Sequence, residues 1–196
     1  EFPKDWGLGS SSTLVANLAQ CFEVNPYQLL KMSFGGSGYD IACASAKQSI
    51  SFQLQKTTPT IQPVSLDDRL TRHFYFIYRN QKQNSREGIK RYRSIEKSDL
   101  KKEISQLNAI TNALVSTSDL HQAELLLLKH EAIIGRLIQQ TPIQQELFSD
   151  YSHGVVKSLG AWGGDFMLVT APDFKALSYF KTRGYHIIKP YSEFIL

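Results

Sequence analysis

Apolar and polar positions along the 196-residue chain mark out a series of short elements. Between Thr13 and Phe22 the apolar residues Leu14, Leu18, Cys21 and Phe22 recur at the spacing of a helix face. The stretch NPYQLLKMSF predicts a second helix, with Asn25 as its N-cap and Pro26 at its first position. Ser49–Gln55 alternates polar and apolar residues, as a half-buried strand does, and TIQPVSL after it reads as a Pro-broken edge strand. Arg72–Asn80 is aromatic and β-branched enough for a core strand.

Two long amphipathic helices follow. Ser98–Val115 carries Leu100, Ile104, Leu107, Ile110 and Leu114 on one stripe, and Asp119–Gln140 carries Leu120, Ala123, Leu127, Ile134, Leu137 and Ile138. The Leu125–Leu128 run widens the second apolar face, so a packed core helix is expected rather than one that binds a partner. TPIQQELFSDY predicts a shorter helix, and VVKSLG with DFMLVTAP a hairpin around a glycine turn. DFKALSYFKTRG is a helix closed by Gly184, and YHIIKPYSEFIL supplies a last strand. This mixture predicts an α+β fold, with a domain boundary in SLDDRLT.

Composition changes this picture little. A chain with 42% hydrophobic and 20% charged residues is an ordinary globular one. No apolar run nears the roughly 20 residues of a membrane span, and EFPKDW lacks the layout of a signal peptide, so no membrane partner and a cytoplasmic location are expected. Cys21 and Cys43 lie in apolar surroundings without metal-ligand spacing and are expected to be buried thiols. A net charge of +4 permits an anionic ligand but is too mild to argue for nucleic acid.

Candidate chemistry sits in three glycine clusters. GLGSSST, Gly7–Thr13, places two glycines and three serines against a helix. Glycine lets the main chain approach a ligand closely, and a helix N-terminus offers unpaired N–H donors to phosphate. Taken alone, such a start serves as a cap or as a phosphate cradle; no Lys follows, so it is not a Walker loop. FGGSGYDIACASA, Phe34–Ala46, feeds a small-residue helix and carries Asp40 at its turn, where it could cap the helix or act chemically. SLGAWGGDFMLVTA, Ser158–Ala171, leads into a strand and could equally be a hairpin turn.

These three clusters, in this order, resemble the motifs of the galactokinase, homoserine, mevalonate and phosphomevalonate kinase superfamily (the GHMP kinases), most closely its mevalonate and phosphomevalonate branch. The resemblance runs from Trp6 to about Ala171. It implies residues 1–68 as the remaining part of an ATP-binding, ribosomal-S5-like N-terminal domain and 69–196 as a ferredoxin-like C-terminal domain. It implies ATP and Mg2+ as cofactors and a small-molecule acceptor, with mevalonate or phosphomevalonate favoured over a sugar. Gly7, Gly9, Ser10, Ser11, Ser12 and Thr13 would hold the ATP phosphates, Ser11 would touch Mg2+, and Asp40 would be catalytic. Gly36, Ser37, Gly38, Gly160, Gly163, Gly164 and Asp165 would lie on the substrate side, with Trp162 an unusually bulky member of the third motif.

The family's first motif, an acidic metal ligand and a lysine that pairs with the catalytic Asp belong upstream of Gly7. An upstream segment of the same kinase is therefore the expected partner, and the 196-residue piece alone is expected to be inactive. A non-catalytic nucleotide-binding or scaffold fragment is the alternative.

The basic stretch Arg79–Arg93 holds Arg79, Lys82, Arg86, Lys90, Arg91 and Arg93 against Glu87 alone. It reads as a solvated loop or as a lip that draws an anionic acceptor, with Lys82 and Arg86 as its substrate-side candidates. Tyr92 could stack on a base, but no nucleic-acid module accompanies it, so no nucleic acid is expected. The five histidines are scattered without metal spacing.

Overall fold

A computed structural model describes residues 6, 10–55, 58–81, 90, 94, 100–160 and 165–195. The chain forms two compact units, one made chiefly of Gly7–Ser65 and the other of Leu66–Phe194 together with Trp6.

The first unit opens with α1 (Ser10–Cys21), followed by α2 (Pro26–Met32) and α3 (Tyr39–Ser45). Asn25 caps α2 as the sequence predicts: its side chain accepts from Tyr27 N at 2.9 Å and Gln28 N at 3.1 Å, and Pro26 follows. Val15, Leu30 and Ile41 bring the three helices together around a small core, joined by Ala16, Tyr27 and Leu29. The face of α1 that packs is thus Ser12, Val15 and Ala19, while Leu14, Leu18 and Phe22, whose spacing marks the helix in the sequence, are exposed. Cys21 and Cys43 are likewise exposed rather than buried. The reason is size: α2 and α3 can cover one side of α1, and small residues on that side let them approach closely. An antiparallel ribbon of β1 (Ile50–Gln55) and β2 (Thr58–Pro63) completes the unit, with Phe52 opposite Ile61. Leu54 and Ile61 remain exposed, so the alternation in β1 does not produce a buried face.

The second unit starts with the short α4 (Asp68–Thr71), capped by Asp67, whose carboxylate accepts from Arg69 N at 2.8 Å. It continues through β3 (Phe74–Tyr78), α5 (Lys101–Ser116), α6 (Leu120–Ile138), α7 (Ile143–Leu147), β4 (Val156–Ser158), β5 (Phe166–Thr170), α8 (Ser178–Lys181), β6 (Ile188–Pro190) and α9 (Tyr191–Phe194). The four strands pair antiparallel in the order β4-β5-β3-β6. Counted within the unit, this is a β-α-β-β-α-β chain whose sheet reads 4-1-3-2 from β6 inward, the ferredoxin-like arrangement. The fold is therefore α+β.

All five residues of β3 are buried, as a central strand demands. On one face of the sheet, Tyr75, Ile77, Val156, Met167 and Val169 pack with Ile143, Phe148, Leu177 and Phe180. On the other, Phe74 and Leu168 meet Leu70 and Ala123, with Leu114 and Leu120 packed against them. The long helices keep their predicted places, but not every predicted core residue: Ile104, Leu125 and Leu128 are exposed. In α6 the buried line is Ala123, Leu127, Glu131 and Ile138. The predicted helix closed by Gly184 reduces to the four-residue α8; Gly184 follows it with φ +88, the left-handed geometry that ends helices. No helix among the described residues is long and apolar enough to cross a membrane.

Candidate functional site

Of the predicted phosphate loop, Gly7 and Gly9 lie outside the described residues, and Ser10 is described by its backbone alone, as the first residue of α1. Ser11 and Thr13 are exposed on the first turn, and Ser12 is buried. An exposed hydroxyl beside a helix start is placed where the partial positive charge of the N-terminus favours an anion.

The second glycine cluster is built in full. Gly35, Gly36 and Gly38 take φ of +68, +114 and +82, so the turn depends on residues without a Cβ. A Cβ on Gly38 would also lie 2.8 Å from the Tyr27 ring. Ser37 Oγ accepts from Tyr39 N at 3.2 Å and fixes the entry into α3. Gly38, not Asp40, is the N-cap, so the capping role open to Asp40 on sequence grounds is not the one it takes. Asp40 stands in the first turn, exposed, with its carboxyl raised above the ordinary carboxylate range by partial loss of water. Next to it, Ile41 packs on Val15 of α1. The helix that carries Ser11 and the helix that carries Asp40 are thereby locked together within one unit. Tyr39, immediately before Asp40, interacts with Cys43 one turn further on, and partial loss of water raises the pKa of both groups.

The third cluster belongs to the sheet unit. Gly160 is left-handed, with φ +63, and exposed. Asp165 is half-buried at the start of β5, and its carbonyl accepts from Arg79 N at 2.8 Å. Trp162, Gly163 and Gly164 lie outside the described residues, as do Lys82 and Arg86 of the basic stretch.

For Mg2+, the donor chemistry present is hard oxygen from Ser11 and, on the neighbouring helix, from Asp40. No group of three or more His, Cys, Asp or Glu among the described residues could hold a metal. Such a set fits Mg2+ only as the ion is commonly bound beside nucleotides, with few protein oxygens and the rest from phosphate and water.

Sequence reasoning passed over a polar cluster in the sheet unit. Glu131 is 1% exposed on α6; its Oε1 accepts from Ser158 N at 3.0 Å, and Lys157 Nζ stands 3.5 Å from its Oε2. Gln144 Oε1 accepts from Val156 N at 2.9 Å. Together these side chains satisfy the outward N–H groups of the edge strand β4. The signal was present: Ala123, Leu127 and Glu131 recur every four residues, which puts a carboxylate on the core stripe.

Neither a protein-family model nor a curated protein matches the sequence. Solved structures do match by fold. A Lin0012 protein from Listeria innocua superposes with TM-score 0.68 at 16% identity, over 94% of this chain and 68% of that one. L. major mevalonate kinase in complex with R-mevalonate superposes with TM-score 0.64 at 13% identity, over 92% of this chain and 64% of that one. The chain thus has a fold like that of mevalonate kinase and spans about two-thirds of that protein's length.

Proposed function

We propose that this chain is part of a GHMP-type small-molecule kinase that transfers the γ-phosphoryl group of ATP to a hydroxyl or phosphate acceptor, mevalonate or phosphomevalonate before a sugar. The observation that carries the reading is Asp40: an exposed carboxylate behind three left-handed glycines, on a helix packed against the one that begins at the serine cluster. The fold likeness to mevalonate kinase supports it. In this reading residues 1–68 belong to the ATP-binding domain and 69–196 to the C-terminal domain.

Phosphoryl transfer asks little covalent chemistry of the protein; placement and charge neutralisation carry it. The start of α1 would hold phosphate oxygens through its N–H groups, with Ser11 offering its hydroxyl. Mg2+, bound with the nucleotide, would neutralise developing phosphate charge. Asp40 would orient the acceptor hydroxyl and take its proton, a role that the raised carboxyl pKa favours. The acceptor-side roles of Lys82, Arg86, Gly160, Gly163, Gly164 and Asp165 rest on the sequence resemblance alone.

The test is Asp40→Asn in the full-length protein, assayed by ADP release with mevalonate, phosphomevalonate, homoserine and galactose. Because Gly38 caps the helix, the substitution leaves α3 intact. The expected result is a fall in kcat of about 10²–10⁴-fold with nucleotide affinity unchanged. Unchanged turnover would remove Asp40 from the mechanism. ATP binding without turnover on any acceptor, before or after substitution, would favour a nucleotide-binding module.

A further inference from the structure

The sheet ends at β4, and the closure of that edge goes beyond its N–H groups. In the order β4-β5-β3-β6, one side of the β4 backbone has no strand beside it. Gln144 of α7 serves both kinds of backbone group there. Its Oε1 accepts from Val156 N at 2.9 Å, and its Nε2 donates to the Gly154 carbonyl at 3.3 Å. Two residues along, Glu131 Oε1 of α6 accepts from Ser158 N at 3.0 Å, and Lys157 Nζ donates to the Ser158 carbonyl at 2.9 Å. Lys157 Nζ also stands 3.5 Å from Glu131 Oε2, so carboxylate and ammonium hold each other against the strand. One amide and one ion pair thus take the hydrogen-bonding positions that the backbone of a further strand would take.

Solvent lies close to this edge. A groove of about 500 Å³ runs against it, lined by exposed Leu128 and Ala132 of α6 and exposed Gln145 of α7, together with Glu131, Gln144 and Val156. The opposite edge is closed by other means: β6 is three residues long and ends in Pro190, which has no N–H to offer. Every residue of β4 keeps its donor. Val156 and Ser158 are buried, so an N–H stripped of its partner at either position is costly.

We propose that Gln144, Glu131 and Lys157 form a guard that keeps the β4 edge from adding a strand, and that the strand they exclude is β4 of a second copy of this chain. Bare backbone groups beside an open groove seek an array of matching donors and acceptors. The same edge on another copy offers one, and antiparallel pairing about a twofold axis makes it self-complementary. Such pairing would run one continuous sheet through both copies. The polar residues on the core side of α6 and α7 are therefore devices of solubility as well as of packing.

The experiment compares the 196-residue chain with two substituted forms by sedimentation equilibrium and amide hydrogen exchange. In Gln144→Ala/Glu131→Ala/Lys157→Met the guard is gone and no unpaired buried charge is left behind. Its mass is expected to shift towards that of a dimer of the parent as concentration rises. The Val156 and Ser158 amides should exchange faster than in the parent when dilute and regain protection as the mass grows. In Glu131→Gln/Lys157→Met an amide oxygen remains for Ser158 N and Gln144 is untouched, so the mass should stay that of the parent. Should the triple form unfold, Gln144→Ala alone replaces it, with the same change expected at Val156. A folded form without the guard that keeps the parent's mass would overturn the proposal. So would association that leaves Val156 and Ser158 unprotected, or equal association of the form that keeps an oxygen at position 131. None of these readouts depends on phosphoryl transfer, so the outcome is separate from that of the Asp40 test.

Discussion

The two units answer the problem of burying apolar side chains in opposite ways. The sheet unit encloses Phe148, Leu177 and Phe180 almost completely, and both faces of its sheet are covered by helices. The glycine-cluster unit has Val15, Leu30 and Ile41 at its centre and leaves Phe22 70%, Met32 86% and Phe34 64% exposed. Small bodies bury a smaller share of their surface, and a two-stranded ribbon alone is marginal in water. Stability therefore resides mainly in the unit that carries the fewer candidate reacting groups, while the candidate catalytic turn is held by local devices: a cap, left-handed glycines and one ring contact. A unit built in that manner is a body that opens locally at low cost.

The contrast can be broken hardest in the sheet unit. Phe180→Ala is expected to cost about 3–5 kcal/mol, because the ring is fully buried among Phe148, Tyr151 and Tyr179. Hydrogen exchange should show protection lost across β3 and β5; retained protection there would mean that the core repacks. Gly38→Ala comes next, at about 1–3 kcal/mol, since it meets both a left-handed backbone and the Tyr27 ring. Its effect should be confined to exchange in α2 and α3, and a loss spread over the sheet would contradict the separation of the units. The smallest effect is expected from Leu14→Gln and Phe22→Gln, each within about 0.5 kcal/mol by urea unfolding. A larger loss would mean that this face of α1 is covered in solution.

Much of the sheet unit was legible because its signals are redundant. Arg72–Asn80 reads as a core strand from aromatic density alone, and the hairpin of β4 and β5 follows from two apolar runs around a glycine turn. Asn25 and Pro26 announced α2 through capping chemistry that needs no tertiary context. The orientation of α1 was not legible. Leu14, Leu18 and Phe22 share a spacing with Val15 and Ala19, and periodicity says that a helix has faces without saying which one neighbours will cover. The same ambiguity misplaced Cys21. At the candidate site, the demand for glycine was readable in FGGSG, but the division of labour was not: which residue caps α3 and which is left for chemistry depends on backbone angles. Glu131 went unnoticed because a carboxylate within an apolar helix is ordinarily assigned to its solvated side.

His130 has a consequence for how the molecule meets acid. Its Nδ1 is buried without a partner in the folded state, and its pKa stands near 4 against 6.5 for an ordinary imidazole. The unfolded chain therefore binds a proton that the folded chain refuses. In that interval unfolding consumes a hydrogen ion, so mass action by the solvent pulls the sheet unit apart. The contribution to stability is fully present above pH 6.5 and drains away as the pH falls towards about 4. The more solidly packed half of the protein thus contains its own point of acid entry, placed on α6 beside the residue whose carboxylate holds the edge of the sheet.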